Sequence, residues 1–356
     1  MEISRRSIIN SGEKNSHAEK ERGKMLLDTR NRPLRDLRIS VTDQCNLRCR
    51  YCMPKEIFDD HFPFLQGEDL LSFEEIEAIT AACIERADVK KLRITGGEPL
   101  LRKNLTDLIA RLSRYTEIED IAMTTNGILL PKHAEDLKQA GLKRVSVSLD
   151  SLDDDRFQSI TGRSMRVKHV LNGIEAAQKA GLSVKVNMVV KKGMNEEDVL
   201  PMAEYFRGTD IVLRYIEYMD VGNANGWKLD HVLTKKEIIE SLQKQFPLEQ
   251  ADPSQPGETA DRFKYKDGSG EIGVISSVSD AFCHSCNRAR LTADGQLLTC
   301  LFASKGTDLR SVVRNEPETL SDVLESVWKK RDDNYSEERL KATGPSKKLE
   351  MHRVGG

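Results

Sequence analysis

The sequence predicts an α/β fold: parallel strands joined by crossover helices, followed by a smaller α+β segment. Three observations carry this. Short apolar runs alternate with longer amphipathic ones from residue 36 to about 246. Glycines at 141 and 181 stand just past two of the helical patterns, where a left-handed residue ends a helix. The chain is 38% hydrophobic and 31% charged, which supplies a core and excludes a disordered composition.

The strand-like runs are Leu37–Val41, Lys91–Thr95, Asp120–Thr124, Arg144–Leu149, Val184–Val190 and Ile211–Tyr218. Helical patterns lie between and after them, near 73–87, 103–115, 131–140, 165–180, 195–207 and 234–246. Parallel neighbours need a crossover, so this alternation predicts six βα units. Periodicity leaves both a partial barrel and an open doubly wound sheet available. After residue 250 the pattern changes. Asp252-Pro253-Ser254-Gln255-Pro256-Gly257 reads as a linker, and Asp267-Gly268-Ser269-Gly270 as a hairpin turn between Arg262–Tyr265 and Glu271–Ser276. Asp294-Gly295 marks another turn, helices follow near 308–314 and 319–332, and a polar stretch ends in Gly355-Gly356. The expected division is a disordered extension at 1–25, a sheet domain at 26–245, a second domain at 246–340 and a tail at 341–356.

Charge and targeting narrow the function classes. Lys plus Arg total 55 against 57 Asp plus Glu, a net −2, which argues against a protein that coats nucleic acid. No apolar run approaches a membrane span. Ser4-Arg5-Arg6 resembles the start of a twin-arginine signal, but polar residues follow where an apolar region is required. Met25 offers a second start, and a cytoplasmic location is expected.

Seven cysteines stand at 45, 49, 52, 83, 283, 286 and 300. An odd number in a long chain favours reduced thiols over a disulfide framework. Cys45, Cys49 and Cys52 follow the first strand, at the strand end where parallel α/β folds place ligands. Thiolates suit iron–sulfur clusters and zinc. A closed zinc site needs a fourth ligand, and none is near. Three thiolates on a four-iron cluster leave one iron open. Gly96-Gly97-Glu98-Pro99 follows the second strand; its glycines permit close approach to a ligand, and its carboxylate can pair with an ammonium.

Cys283, Cys286 and Cys300 form a second trio, again without a clear fourth ligand. His284 is poorly placed to be one, being adjacent to Cys283. Arg288 and Arg290 follow at i and i+2, so an extended segment would converge both on one anion. Arg38, Arg93 and Lys185 interrupt apolar strand patterns, where a cation is expensive unless it meets a ligand or a partner. Cys83 falls on the apolar spacing of a helix and reads as a buried structural thiol.

The first trio resembles the signature of the radical S-adenosylmethionine superfamily, and Gly-Gly-Glu-Pro resembles its second motif, which holds the methionine amino group. Taken with the second trio, its Arg-x-Arg, the terminal Gly-Gly, and segments such as Met123–Gly127, Ser148–Asp150 and Glu217–Gly222, the chain resembles the GTP 3′,8-cyclase family of molybdenum cofactor biosynthesis. The likeness runs from about Asn31 to Gly356; the leading extension is the departure. It implies an incomplete (βα)6 barrel closed by the C-terminal α+β domain, which settles the choice periodicity left open. It also implies two [4Fe-4S] clusters, one on Cys45, Cys49 and Cys52, the other on Cys283, Cys286 and Cys300. Tyr51, Gly97, Ser148 and Met219 match contacts to S-adenosylmethionine. Arg38, Arg93, Thr124, Lys185, Arg288, Ala289 and Arg290 match contacts to GTP, with Arg214 close to that set. Arg288, Arg290, Gly355 and Gly356 are the implied catalytic positions, the tail entering the cavity. The implied reaction abstracts hydrogen from C3′ of the GTP ribose and joins C3′ to guanine C8. Implied partners are a flavodoxin- or ferredoxin-like electron donor and a downstream cyclic pyranopterin monophosphate synthase. The implied assembly is a monomer or homodimer, without nucleic acid or membrane.

Overall fold

A computed structural model describes residues 25–255, 257–339 and 347–355. Expectations for residues 1–24, for Pro256 and for Gly356 lie outside them.

Six strands, β1 (Asp36–Ser40), β2 (Lys91–Thr95), β3 (Asp120–Thr125), β4 (Arg144–Ser148), β5 (Ser183–Val190) and β6 (Val212–Glu217), pair parallel in chain order. Helices α1 (Phe73–Ala87), α2 (Leu105–Leu112), α3 (Leu130–Gln139), α4 (Asp154–Thr161), α5 (Val167–Lys179), α6 (Val199–Phe206) and α7 (Lys235–Gln243) connect and follow them. Each strand alternates. Leu37, Ile39, Leu92, Ile94, Val145, Val147, Val184, Val186 and Leu213 enter the core that the helices cover. The opposite face carries Arg38, Arg93, Thr124, Ser146, Lys185, Asn187 and Arg214. A filled barrel would put apolar layers there. This one presents polar groups, so its concave face is built to hold something.

α1 shows how local chemistry sets an element. Ser72 caps it in a reciprocal box with Glu75, and Ile76, Ile79 and Cys83 form its buried stripe. Cys83 is accordingly 1% exposed.

The C-terminal segment does more than cover one side. β7 (Leu248–Ala251), β8 (Asp261–Tyr265) and β9 (Glu271–Ile275) form an antiparallel run whose last strand pairs parallel with β6. β10 (Arg288–Leu291) pairs parallel with β1, and β11 (Gln296–Leu298) and β12 (Thr307–Asp308) extend that edge. One stretch therefore flanks the six-stranded sheet on both edges. α8 (Leu309–Asn315), α9 (Leu320–Lys329), α10 (Tyr335–Glu338) and α11 (Met351–Val354) complete the described chain. Among the described residues no helix is long and apolar enough to cross a membrane.

Candidate active site

The first cysteine loop leaves β1 and is gripped by the loop leaving β2. The Gly97 amide donates to the Thr42 carbonyl at 2.8 Å and the Glu98 amide to that of Gln44 at 2.7 Å. A Cβ on Gly97 would stand 2.3 Å from the Gln44 oxygen. The absence of a side chain at Gly97 is thus what lets the two loops touch. Glu98 is fixed at the same junction. Both its oxygens are engaged, one by Thr125 Oγ1 at 2.7 Å and the Leu100 amide at 3.1 Å, the other by the Asn126 amide at 2.7 Å. Burial lifts this carboxyl to about 7. It ties the ends of β2 and β3 together before any ammonium arrives.

Cys49 and Cys52 pack with Tyr51, Ile160 and Tyr218. Burial raises the Cys45 thiol to about 11; it raises Cys49 further, and there the neighbouring Cys45 and Cys52 add to it. The Tyr51 hydroxyl donates to Asp150 at 2.6 Å, and burial holds that carboxyl at about 6. Ser148 ends β4 on the concave face, opposite Asn187. Met219 follows β6 and, like Cys300, packs against the cluster of Val221, Leu298, Phe302 and Val354.

Between the trios lies an arc of cations. Arg38 aligns with Arg290 on one side and Arg93 on the other, and Ser146 with Lys185 and Thr124. Arg214 donates to Ser146 Oγ at 2.9 Å, with Arg93 at 3.4 Å from the same oxygen. Burial first, then Arg93 and Arg144, lower Arg214 to about 9; burial and Arg288 lower Arg290 to about 10. Burial and Arg214 bring Lys185 to about 8. Arg38 Nε, Arg93 Nε, Arg214 Nε and Arg288 Nη1 are buried without a hydrogen-bond partner. Cations this close, with donors unspent, fit a polyanion. Ala289 points the other way, into the core, so only its main chain is available to a ligand.

Cys283 opens a short 3-10 turn, and Cys286 leads into β10. Burial raises the Cys286 thiol, but Arg288 and Arg331 outweigh it and hold the group at about 6. Burial takes Cys300 up to about 12. The His284 side chain is 76% exposed and faces Glu337, so it is no ligand. Among the described residues no three His, Cys, Asp or Glu groups stand close enough to share one metal ion.

Comparison with known proteins identifies the family. The family model for the Radical SAM superfamily matches residues 39–206, and that for Molybdenum Cofactor Synthesis C matches 211–337. A GTP 3′,8-cyclase of Staphylococcus haemolyticus is 47% identical over 335 residues, covering 92% of this chain and 98% of its own. One from Staphylococcus carnosus is 45% identical over 339 residues, covering 94% and 99%. The chain belongs to the GTP 3′,8-cyclase family. Membership makes it a radical SAM enzyme, dependent on S-adenosylmethionine and iron–sulfur chemistry. Among solved structures, Streptococcus suis SuiB bound to its precursor peptide SuiA superposes with a TM-score of 0.59 at 16% identity, over 92% of this chain and 74% of that one. That likeness concerns the fold.

In this GTP 3′,8-cyclase relative the described tail residues, 347–355, are held at several points. Lys348 donates to Asp220 at 2.5 Å, Asn223 donates to Glu350 at 3.0 Å, and Arg353 pairs with Asp294 at 2.5 Å. Arg290 donates to the carbonyls of Val354 at 3.1 Å and Gly355 at 2.5 Å, and Gly355 abuts Thr95. Met351 touches the packing groups of both trios. The sequence did not single out Asp150, Asp220, Lys348 or His352. Asp150 and Asp220 do lie in the Ser148–Asp150 and Glu217–Gly222 segments that carried the resemblance. Lys348 and His352 had no signal, because a polar tail does not announce its docking.

Proposed function

We propose that this chain converts GTP to its 3′,8-cyclised dihydroguanosine triphosphate, the first step of molybdenum cofactor biosynthesis. Two [4Fe-4S] clusters would serve it, the first on Cys45, Cys49 and Cys52 and the second on Cys283, Cys286 and Cys300. The observation that carries this is the arc of unpaired cations lying between two soft-ligand trios. Bound at the first trio, cluster and S-adenosylmethionine supply the radical chemistry that removes hydrogen from the ribose C3′. The chain's own residues bind and orient. Arg38, Arg93, Lys185, Arg214, Arg288 and Arg290 neutralise the triphosphate. Tyr51, Gly97, Ser148 and Met219 shape the S-adenosylmethionine side, and Gly355 fills the space beside Arg290. A cluster held by Cys283, Cys286 and Cys300 would supply a site that anchors the guanine base. Electrons would come from a flavodoxin- or ferredoxin-like donor, and a cyclic pyranopterin monophosphate synthase would take the product, in the cytoplasm.

The test is anaerobic incubation of reconstituted protein with GTP, S-adenosylmethionine and a reductant. We expect 5′-deoxyadenosine whose formation depends on GTP, and turnover indifferent to GTP would refute the assignment. Arg288→Ala or Arg290→Ala should each weaken GTP binding by about 1.5–3 kcal/mol, the scale of a charge-assisted hydrogen bond.

A further inference from the structure

Outside both cysteine motifs and the cation arc lies a second group of buried charges. Arg32 Nε meets Asp28 Oδ2 at 2.6 Å, and Arg331 Nη1 meets the same oxygen at 3.0 Å. Their side chains are 2%, 0% and 1% exposed for Arg32, Asp28 and Arg331. The other oxygen of Asp28 accepts the amides of Arg30 at 2.9 Å and Arg32 at 2.8 Å. Trp328 lies under the Arg331 guanidinium at 4.5 Å and donates to the Arg32 carbonyl at 3.1 Å.

What the two guanidiniums do with their remaining donors points to a purpose. Arg32 Nη1 donates to the carbonyl of Cys283 at 2.8 Å. Arg331 Nη1 donates to the carbonyl of Cys286 at 2.9 Å, and its Nε to that of Thr299 at 3.0 Å. Thr299 precedes Cys300, so every cysteine of the second trio has its own or its neighbour's carbonyl fixed by this pair. Arg32 Nη2 remains buried with no partner. A donor in that condition suits a group whose acceptors arrive with a cofactor.

Stability does not account for the arrangement. Taking three charges out of water costs several kcal/mol per ion, and apolar replacements of such a triad are commonly neutral or stabilising. Fixing backbone and charge around ligating groups is what such a triad does well, because outer partners orient the ligands and tune the metal.

Asp333, with a carboxylate oxygen 3.4 Å from Arg331 Nε, brings the group's net charge to zero. We propose that Asp28, Arg32 and Arg331 form a clamp that positions the second cysteine trio, and that the Arg331 guanidinium, held on the Cys286 carbonyl, raises the potential of the cluster held there. They are positioning residues, since none touches substrate. The proposal rests on the two-cluster reading above and extends it to residues outside either motif in sequence.

The test compares the full-length wild type with a D28V/R32M/R331M triple variant and with the single variants Arg331→Met and Arg331→Lys. Reconstituted wild type should hold about eight irons per chain and the triple variant about four. In metal-free protein, alkylation of Cys283 and Cys300 should be about tenfold faster in the triple variant, with Cys45, Cys49 and Cys52 unchanged. Arg331→Met should move the second cluster's potential negative while the first cluster's stays put, and Arg331→Lys should restore it. Full iron loading, unchanged alkylation and an unmoved potential would overturn the clamp. Wild type that takes only about four irons would overturn the two-cluster reading instead. If the triple variant fails to fold, Arg331→Lys decides, because it keeps the charge and loses the fork. Alkylation of Cys283 and Cys300 must then still rise, and an unchanged rate refutes the proposal.

Discussion

His352 shows how far a single side chain's surroundings reach into behaviour. It is 2% exposed, packed edge-on against Phe58 at 4.8 Å and flanked by Phe62 and Phe64 at 6.2 Å, all three from the segment after the first trio. Burial, then Arg353 and Arg48, push its imidazole down to about 4. Once undocked it would titrate near 6.5, so between these values the undocked tail binds the extra proton. Docking is therefore complete above pH 6.5 and is lost as pH falls through 4, at a cost of about 3 kcal/mol at the limit. Protection of the amides over residues 349–355, taken relative to their intrinsic exchange rates, should fall between pH 7 and 5. His352→Phe, which adds a fourth aromatic ring to the group, should remove that pH dependence; an equal dependence in the variant would refute the argument. Glu98 runs the opposite way. Its carboxyl is lifted to about 7, so the stability it gains when protonated is lost as pH climbs through that value.

The contact between the loops after β1 and β2 matters as much as the strands themselves. Gly97→Ala would press a methyl group onto the main-chain oxygens of Gln44 at 2.3 Å and Asp43 at 2.8 Å, neither of which can swing aside. We expect a loss of roughly 1–3 kcal/mol in denaturant melts, together with release of iron from the first trio before the second. These strands were legible because each repeats a run of alternating burial between turn residues, and β2 and α1 fall on their predicted limits. α4 was not predicted: eight residues with Phe157, Ile160 and Thr161 buried are too few to show a period. β10 reads as Arg-Ala-Arg-Leu, and only its neighbours reveal a strand inside a sheet. The trios and lumen cations were visible because their chemistry is unusual where it stands. The Asp28–Arg331 pair was not, since 303 positions separate its members and each is an ordinary residue locally.

Seen entire, the protein gives up stability to hold a ring of like charges. Arg38, Arg93, Lys185, Arg214 and Arg290 all sit below their ordinary pKa values, burial being the first cause in each and cationic neighbours a further one in every case. Removing one should relieve the rest. Arg214→Met is expected to raise the melting temperature of the ligand-free protein while weakening its stabilisation by inorganic triphosphate. A variant that melts lower and still responds fully to triphosphate would contradict this.

The pairing of β1 with β10 has a consequence for how the chain is made. Asp36 faces Arg288 across about 250 residues of sequence, so the outer rim of β1 emerges from the ribosome long before its neighbour exists. At 5–20 residues per second that interval is roughly 12–50 s. An uncovered rim through that time invites pairing with other nascent chains, and inward-pointing charges are a known protection. Asp36 and Arg38 supply them. The same arginine that later faces the substrate cavity would thus keep newborn copies of the protein apart.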